Sequence, residues 1–217
     1  MKTKKLFWMF VVAMMLTSCT SGQNKTLAAP DDQGETNLTE TVTELIMSRR
    51  SIRQYKDQAI SRDTLDQILK CGINAPNGMN RQSWEIRVID NPALVQEISD
   101  VVVAQNPKMG ERPNFKNIFS NAPCVIFIGW DSRYDMSQID CGLLGENIIL
   151  SAWSMGIGTC CLGGAPRMMK DTPAAAPYIE RLGFSEGFEL LYAIGLGYPD
   201  ETPDAKPRDE SKIKYVE

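Results

Sequence analysis

The chain has 217 residues, 43% of them hydrophobic, no histidine and a formal charge of -4. That is enough apolar content for one domain with a substantial core and too little for two. The acidic balance disfavours nucleic acid and anionic lipid as general partners, and the missing imidazole removes Ser-His-Asp and Cys-His catalysis and every His-containing zinc site.

Lys2, Lys4 and Lys5 precede an apolar run from Leu6 to Leu16, "LFWMFVVAMML", which has the charge, length and flanks of a secretory signal. It is too short for a stable transmembrane helix. Leu16, Thr17, Ser18 and Cys19 resemble a bacterial lipobox, in which Cys19 is lipidated and becomes the mature N-terminus. This predicts a lipoprotein of the cell envelope, membrane-anchored and periplasm-facing; ordinary secretion is the alternative. Taking three lysines from -4 leaves -7 for the remainder. Residues 20–38 are polar, without a periodic apolar face, and read as a tether for a folded domain over 39–217.

Val42, Leu45 and Ile46 have helical spacing, with Asn37 or Thr39 available as N-cap. Leu65, Ile68, Leu69 and Ile73 repeat the pattern after Ser61 and predict a helix stopping near "CGINAPNG". In "SWEIRVID", Trp84, Ile86 and Val88 alternate with Glu85 and Arg87 as in a half-buried strand. Pro92 to Gln105 reads as a helix, "PCVIFIGW" as a central strand buried on both faces, and Ser137 to Met155 as a helix packed on nearly all sides. "GIGTCCLGG" reads as a helix-to-loop connection, and "FELLYAIGLGYP" as another strand. The order is that of an α+β layered domain.

Two basic clusters stand out in this acidic chain. Arg49, Arg50, Ser51 and Arg53 follow the first helix, where cations also suit a helix C-terminus. Lys206 and Arg208 flank Pro207 far away in sequence, and convergence of both clusters on one phosphate would explain them together.

With those residues in view, the chain resembles the nitroreductase family of flavin enzymes. The matching pieces, in order, are "RRSIRQY", "APNGMNRQSWEIRVI", "NFKNIFSNAPCVIFI", "GLLGENIILSAWSMGIGTCCLGG" and "GYPDETPDAKPR". The resemblance implies an α+β fold with a central mixed or antiparallel sheet flanked by helices, a homodimer, and FMN at the subunit interface. By that resemblance Arg49, Ser51 and Arg53 hold the phosphate, ribityl chain and pyrimidine edge, with Arg50 contributing mainly backbone, and Lys206 and Arg208 complete the phosphate site. Asn114 would supply an amide to the ring edge, with Asn117 one helical turn on. Pro76, Asn77, Gly78 and Asn80 would come from the opposite subunit. Asn77 stands where the family has serine or threonine, and Ser83 where it has proline. Leu162, Gly163 and Gly164 would present a backbone N–H to flavin N5.

The implied activity is a ping-pong exchange in which NAD(P)H gives a hydride to FMN and a nitroaromatic, quinone or similar acceptor takes the electrons. No catalytic side chain is required and no metal site is expected. Cys160 and Cys161 are left outside the mechanism, since adjacent cysteines commonly just pack. A flavin-dependent dehydrogenase or oxidase of the same fold with another donor, and a non-catalytic flavin-binding lipoprotein, remain open beside this reading.

Overall fold

A computed structural model of the protein describes residues 32–217, with side chains from residue 38 onward. The leader, the lipidation site at Cys19 and the tether up to residue 31 lie outside the described residues. The chain forms two units, Met1–Thr39 and Glu40–Glu217. In the first unit the described residues are the opening turns of α1 (Asp32–Ser48), so the segment expected to be a tether to residue 38 is helical from Asp32. Neither Asn37 nor Thr39 is an N-cap, because both lie inside the helix.

In the second unit α2 (Arg62–Gly72) starts where Ser61 Oγ accepts the Thr64 N–H, and α3 (Pro92–Gln105) starts where Asn91 caps Ala93 and proline takes the first turn. The intervening strand β1 (Trp84–Ile89) and strand β2 (Cys124–Asp131), apolar up to Trp130, pair antiparallel. Next come α4 (Ser137–Ser154), β3 (Gly158–Leu162), α5 (Gly164–Asp171), α6 (Ala176–Arg181) and β4 (Phe188–Gly197). The sheet order is β1-β2-β4-β3 and every pair is antiparallel. Strand β3 corrects the expected helix-to-loop connection at "GIGTCCLGG": five of its residues pair with β4.

The alternation of β2 builds two cores. Cys124, Ile126 and Ile128 face a cluster with Leu65 and Ile68 of α2 and Leu144 and Ile148 of α4, all buried. Val125 and Phe127 face the opposite cluster with Val95, Ile98 and Val102 of α3 and Met169 of α5, and Phe127 meets Phe119 edge-on with ring centroids 5.7 Å apart. Helices therefore cover both faces of an antiparallel sheet, in the α+β arrangement expected. No helix among the described residues is long and apolar enough to cross a membrane.

Candidate functional site

The free edge of β3 is where the first basic cluster sits. After α1 ends, residues Arg49–Tyr55 run extended: Ser51 forms a parallel bridge with Thr159, and the Ile52 N–H donates to Thr159 O at 2.8 Å. Ile52 is buried while Ser51 and Arg53 point away from it, as the period of two in extended chain requires. The loop also covers an edge that would otherwise offer unpaired backbone groups.

The segment after β4 is laced to the same loop. Lys56 N–H donates to Tyr198 O and Asp200 N–H to Gln54 O, each at 2.9 Å. The Glu201 carboxylate accepts the backbone N–H groups of both Arg53 and Gln54. This registration brings residues Pro203–Arg208 opposite the arginines. Arg49, Arg50, Ser51, Arg53, Lys206 and Arg208 all line one cleft of about 400 Å³, together with Glu146 of α4 and Ile46 and Met47 of α1.

Positive charge dominates this cleft, with five cations in its lining against two acids, Glu146 and Asp204. The Arg50 guanidinium donates to Met47 O and Arg49 O, that of Arg53 to Ser51 O, and that of Arg208 to Lys206 O and Pro207 O. Among the described residues none of the five cations forms an ion pair, the pairs being Arg62–Asp90, Arg87–Glu85, Arg133–Asp131 and Lys212–Asp209. Like charges held together in this way favour an anion between them, and forked guanidinium groups suit phosphate oxygens.

A second cavity, about 260 Å³, shares Arg53 with the first and contains Asn114 and Asn117. Asn114 has left-handed backbone, with φ 58°, and lies on the rim. Asn117 corrects the expectation in two ways. Residues 114–117 are not helical, and the buried Asn117 amide is committed to the loop, donating to Ala122 O and accepting from Phe119 N–H. Sequence reasoning missed Asn121, which joins everything here: its Nδ2 donates to Arg53 O and Asn114 O, both at 3.0 Å, and its Oδ1 accepts from Lys116 and Asn117 N–H. The turn-like "SNAP" was the available signal.

Leu162 ends β3 with its side chain in the second core, and Gly163 and Gly164 begin α5 with open space beside them. Leu162 lies three residues beyond Thr159, about 10 Å of strand from the Ser51 bridge. Cys160 packs in the second core while Cys161 is exposed on the other face. Although the residue is exposed, protein packed around its sulfur, with Cys160 and Glu146 nearby, pushes the Cys161 thiol up and outweighs the opposing Leu162 N–H and Arg49.

Pro76, Asn77, Gly78 and Asn80 are not brought to the arginine cleft within this chain. Asn77 Oδ1 accepts the Gln82 N–H at 2.9 Å, the Gly78 N–H donates to Asp140 Oδ1 at 3.1 Å, and the Ser83 hydroxyl donates to Asp140 Oδ2 at 2.7 Å. Asp140 stands six residues before Glu146 on α4, about 9 Å along the helix axis. Asp140 was another residue missed by sequence reasoning, although a carboxylate in the apolar stretch "IDCGLLG" was a signal. Ser83, in the proline position, thus has a structural role as the loop's second tie.

A separate groove of about 210 Å³ lies between β1, α3 and α6. Its Arg87 guanidinium is already engaged by the Glu85 carboxylate and by the carbonyls of Ile86, Leu182 and Gly183, so it has little to offer an anion.

Comparison with known proteins places this geometry in context. The family model described as "Nitroreductase family" matches residues 46–198. An Archaeoglobus fulgidus protein provisionally named NADH dehydrogenase/NAD(P)H nitroreductase is 31% identical over 176 residues, 79% of this chain and 92% of its own length. The NADPH-flavin oxidoreductase of Vibrio harveyi is 27% identical over 76% of this chain and 68% of its own. Among solved structures, a nitroreductase with bound FMN from Desulfitobacterium hafniense is 32% identical, with a TM-score of 0.71 over 81% of this chain and 97% of that one. One from Bacteroides fragilis, also with bound FMN, is 25% identical with a TM-score of 0.71, covering 81% and 98%. Family match, fold and the conjunction of the two basic clusters agree, and this chain belongs to the nitroreductase family.

Proposed function

We propose that the protein is an FMN-dependent oxidoreductase that passes electrons from NAD(P)H to nitroaromatic, quinone or similar acceptors. The observation that carries this reading is the cleft in which Arg49, Arg50, Ser51, Arg53, Lys206 and Arg208 converge without carboxylate partners among the described residues. That donor set fits flavin mononucleotide. Arg49, Lys206 and Arg208 would hold the phosphate, Ser51 the ribityl chain, and Arg53 the ring edge where reduced flavin gathers negative charge. FMN when bound would supply the two-electron chemistry.

The protein's own part is binding and orientation. Asn121 fixes the Arg53 backbone beside Asn114, and the open space at Gly163 and Gly164 would admit a planar ring close to the main chain. The Pro76–Asn80 loop, held away from the cleft by Asp140, would complete the site of a second copy in a homodimer. The leader would anchor the protein to the envelope through Cys19, where nicotinamide is scarce and another donor could serve.

An absorption spectrum of the purified protein lacking residues 1–19, taken anaerobically before and after NADH or NADPH, tests the reading. Flavin bands that bleach support it. Bands that bleach only with dithionite move the donor elsewhere, and a colourless protein unable to take up added FMN would overturn it.

A further inference from the structure

The second cavity shares Arg53 and Asn114 with the flavin reading, but the rest of its lining has a chemistry that reading does not use. One wall is apolar, formed by Met109, Pro113, Phe115, Ile118 and Met168; two guanidinium-bearing residues, Arg53 and Arg112, complete the contrast, and no acidic side chain lines it. Arg53 lines both cavities. An apolar lining interrupted by guanidinium groups is the complement of an aromatic ring that carries a negative charge.

This lining is built rather than loose. The Phe115 N–H donates to Arg112 O at 3.1 Å across a turn with Pro113 second and left-handed Asn114 third, the residue types a type II turn requires. The cavity's far rim also holds left-handed Ser120 and Asn121, and Asn121 ties the rim to Asn114 and Arg53 through its amide. Residues 106–121 carry Lys108, Arg112 and Lys116 against the single acid Glu111, a positive segment within an acidic chain.

We propose that this cavity receives an anionic substituent of the small aromatic acceptor, and that Arg112 is the residue that recognises it. The identity of the ligand as an acceptor rests on the oxidoreductase reading above; the anion preference does not. A carboxylate on the ring would sit against Arg112 while Arg53 remains on the cofactor side, so charged acceptors would be favoured over neutral ones of the same shape.

The test is calorimetric binding of 4-nitrobenzoate and its neutral analogue 4-nitrobenzamide to the protein as purified, at low and physiological salt. The expected result is about tenfold tighter binding of the carboxylate, weakening with salt, and a ratio that collapses towards one in Arg112→Gln. Lys116→Gln makes the same charge change on the same segment and should preserve the ratio. Equal affinities in the unaltered protein, a preference that survives Arg112→Gln, or binding of neither compound would overturn the proposal. Reduction of the two compounds is followed separately. Charge-selective binding without any turnover would sink the oxidoreductase reading and leave the anion site standing, whereas turnover without charge selectivity would do the reverse.

Discussion

At the residue scale, the amide of Asn121 decides how firmly Arg53 is aimed. Four hydrogen bonds leave this one side chain, two to the carbonyls of Arg53 and Asn114 and two from the amides of Lys116 and Asn117. Its φ of 66° means that alanine would add backbone strain to the loss of bonds, so glycine is the cleaner probe. Asn121→Gly should weaken FMN binding about tenfold in a fluorescence titration, corresponding to roughly 1–2 kcal/mol of lost hydrogen bonding. Unchanged affinity in that variant would show that Arg53 is positioned by Glu201 and Thr159 alone.

A second residue sets an acid dependence. Burial acts to raise the Glu85 carboxyl, but hydrogen bonds from Ser185 and the Arg87 guanidinium outweigh it and hold the group below its ordinary 4.5. The ionised form is thus favoured by folding, so Glu85 contributes stability that is fully present above about pH 4.5 and lost as pH falls through its lowered value. Urea unfolding between pH 3 and 6 should show a shallower acid decline for Glu85→Gln than for the unaltered protein. Parallel declines would mean that other carboxylates dominate.

At the scale of elements, β3 was hidden in the sequence for a physical reason. The segment "GTCCL" has one β-branched residue, Thr159, and no alternation, so local propensity offers little. Its strand character comes from pairing with β4 on one side and the arginine loop on the other, both distant in sequence. By contrast β1, β2 and α4 were legible because their patterns are local: alternation from Trp84 to Val88, an unbroken apolar run, and a long stretch rich in Gly, Leu and Ile. The close contact of β3 with the loop depends on Gly158, where an added Cβ would lie 2.7 Å from Ile52 Cγ1 and 3.0 Å from Pro199 Cγ. Gly158→Ala should therefore cost about 1–3 kcal/mol in thermal or urea unfolding and weaken FMN binding, because Ile52 must move and Arg53 follows it. Loss of stability with intact cofactor affinity would separate the sheet edge from the site.

At the scale of the whole molecule, the arginines of the cleft were readable because they are contiguous and out of keeping with an acidic chain, while Asp140 and Asn121 are ordinary polar residues whose work exists only after folding. The same distinction bears on assembly. The chain leaves Ile139 and Leu143 of α4 exposed at 55% and 41%, spaced by four residues on one helical face, and Val42 and Ile46 of α1 exposed at 46% and 50% with the same spacing. Asp140, beside the first of these, carries the Pro76–Asn80 loop, so the apolar face and the loop that misses its own cleft lie on neighbouring parts of one helix. Burying such aliphatic side chains yields roughly 1.5–3 kcal/mol each, and placing glutamates there would leave unpaired charge in a dry interface. On the proposed homodimer, the unaltered protein should sediment as a dimer and the double variant Ile139→Glu with Leu143→Glu as a monomer, which should lose FMN on dilution if the partner's loop completes the site. Its far-ultraviolet circular dichroism should stay unchanged, since both positions face solvent in the single chain. A variant that remains dimeric would place the interface elsewhere, and a monomer that keeps its cofactor would show that the arginine cleft alone is sufficient.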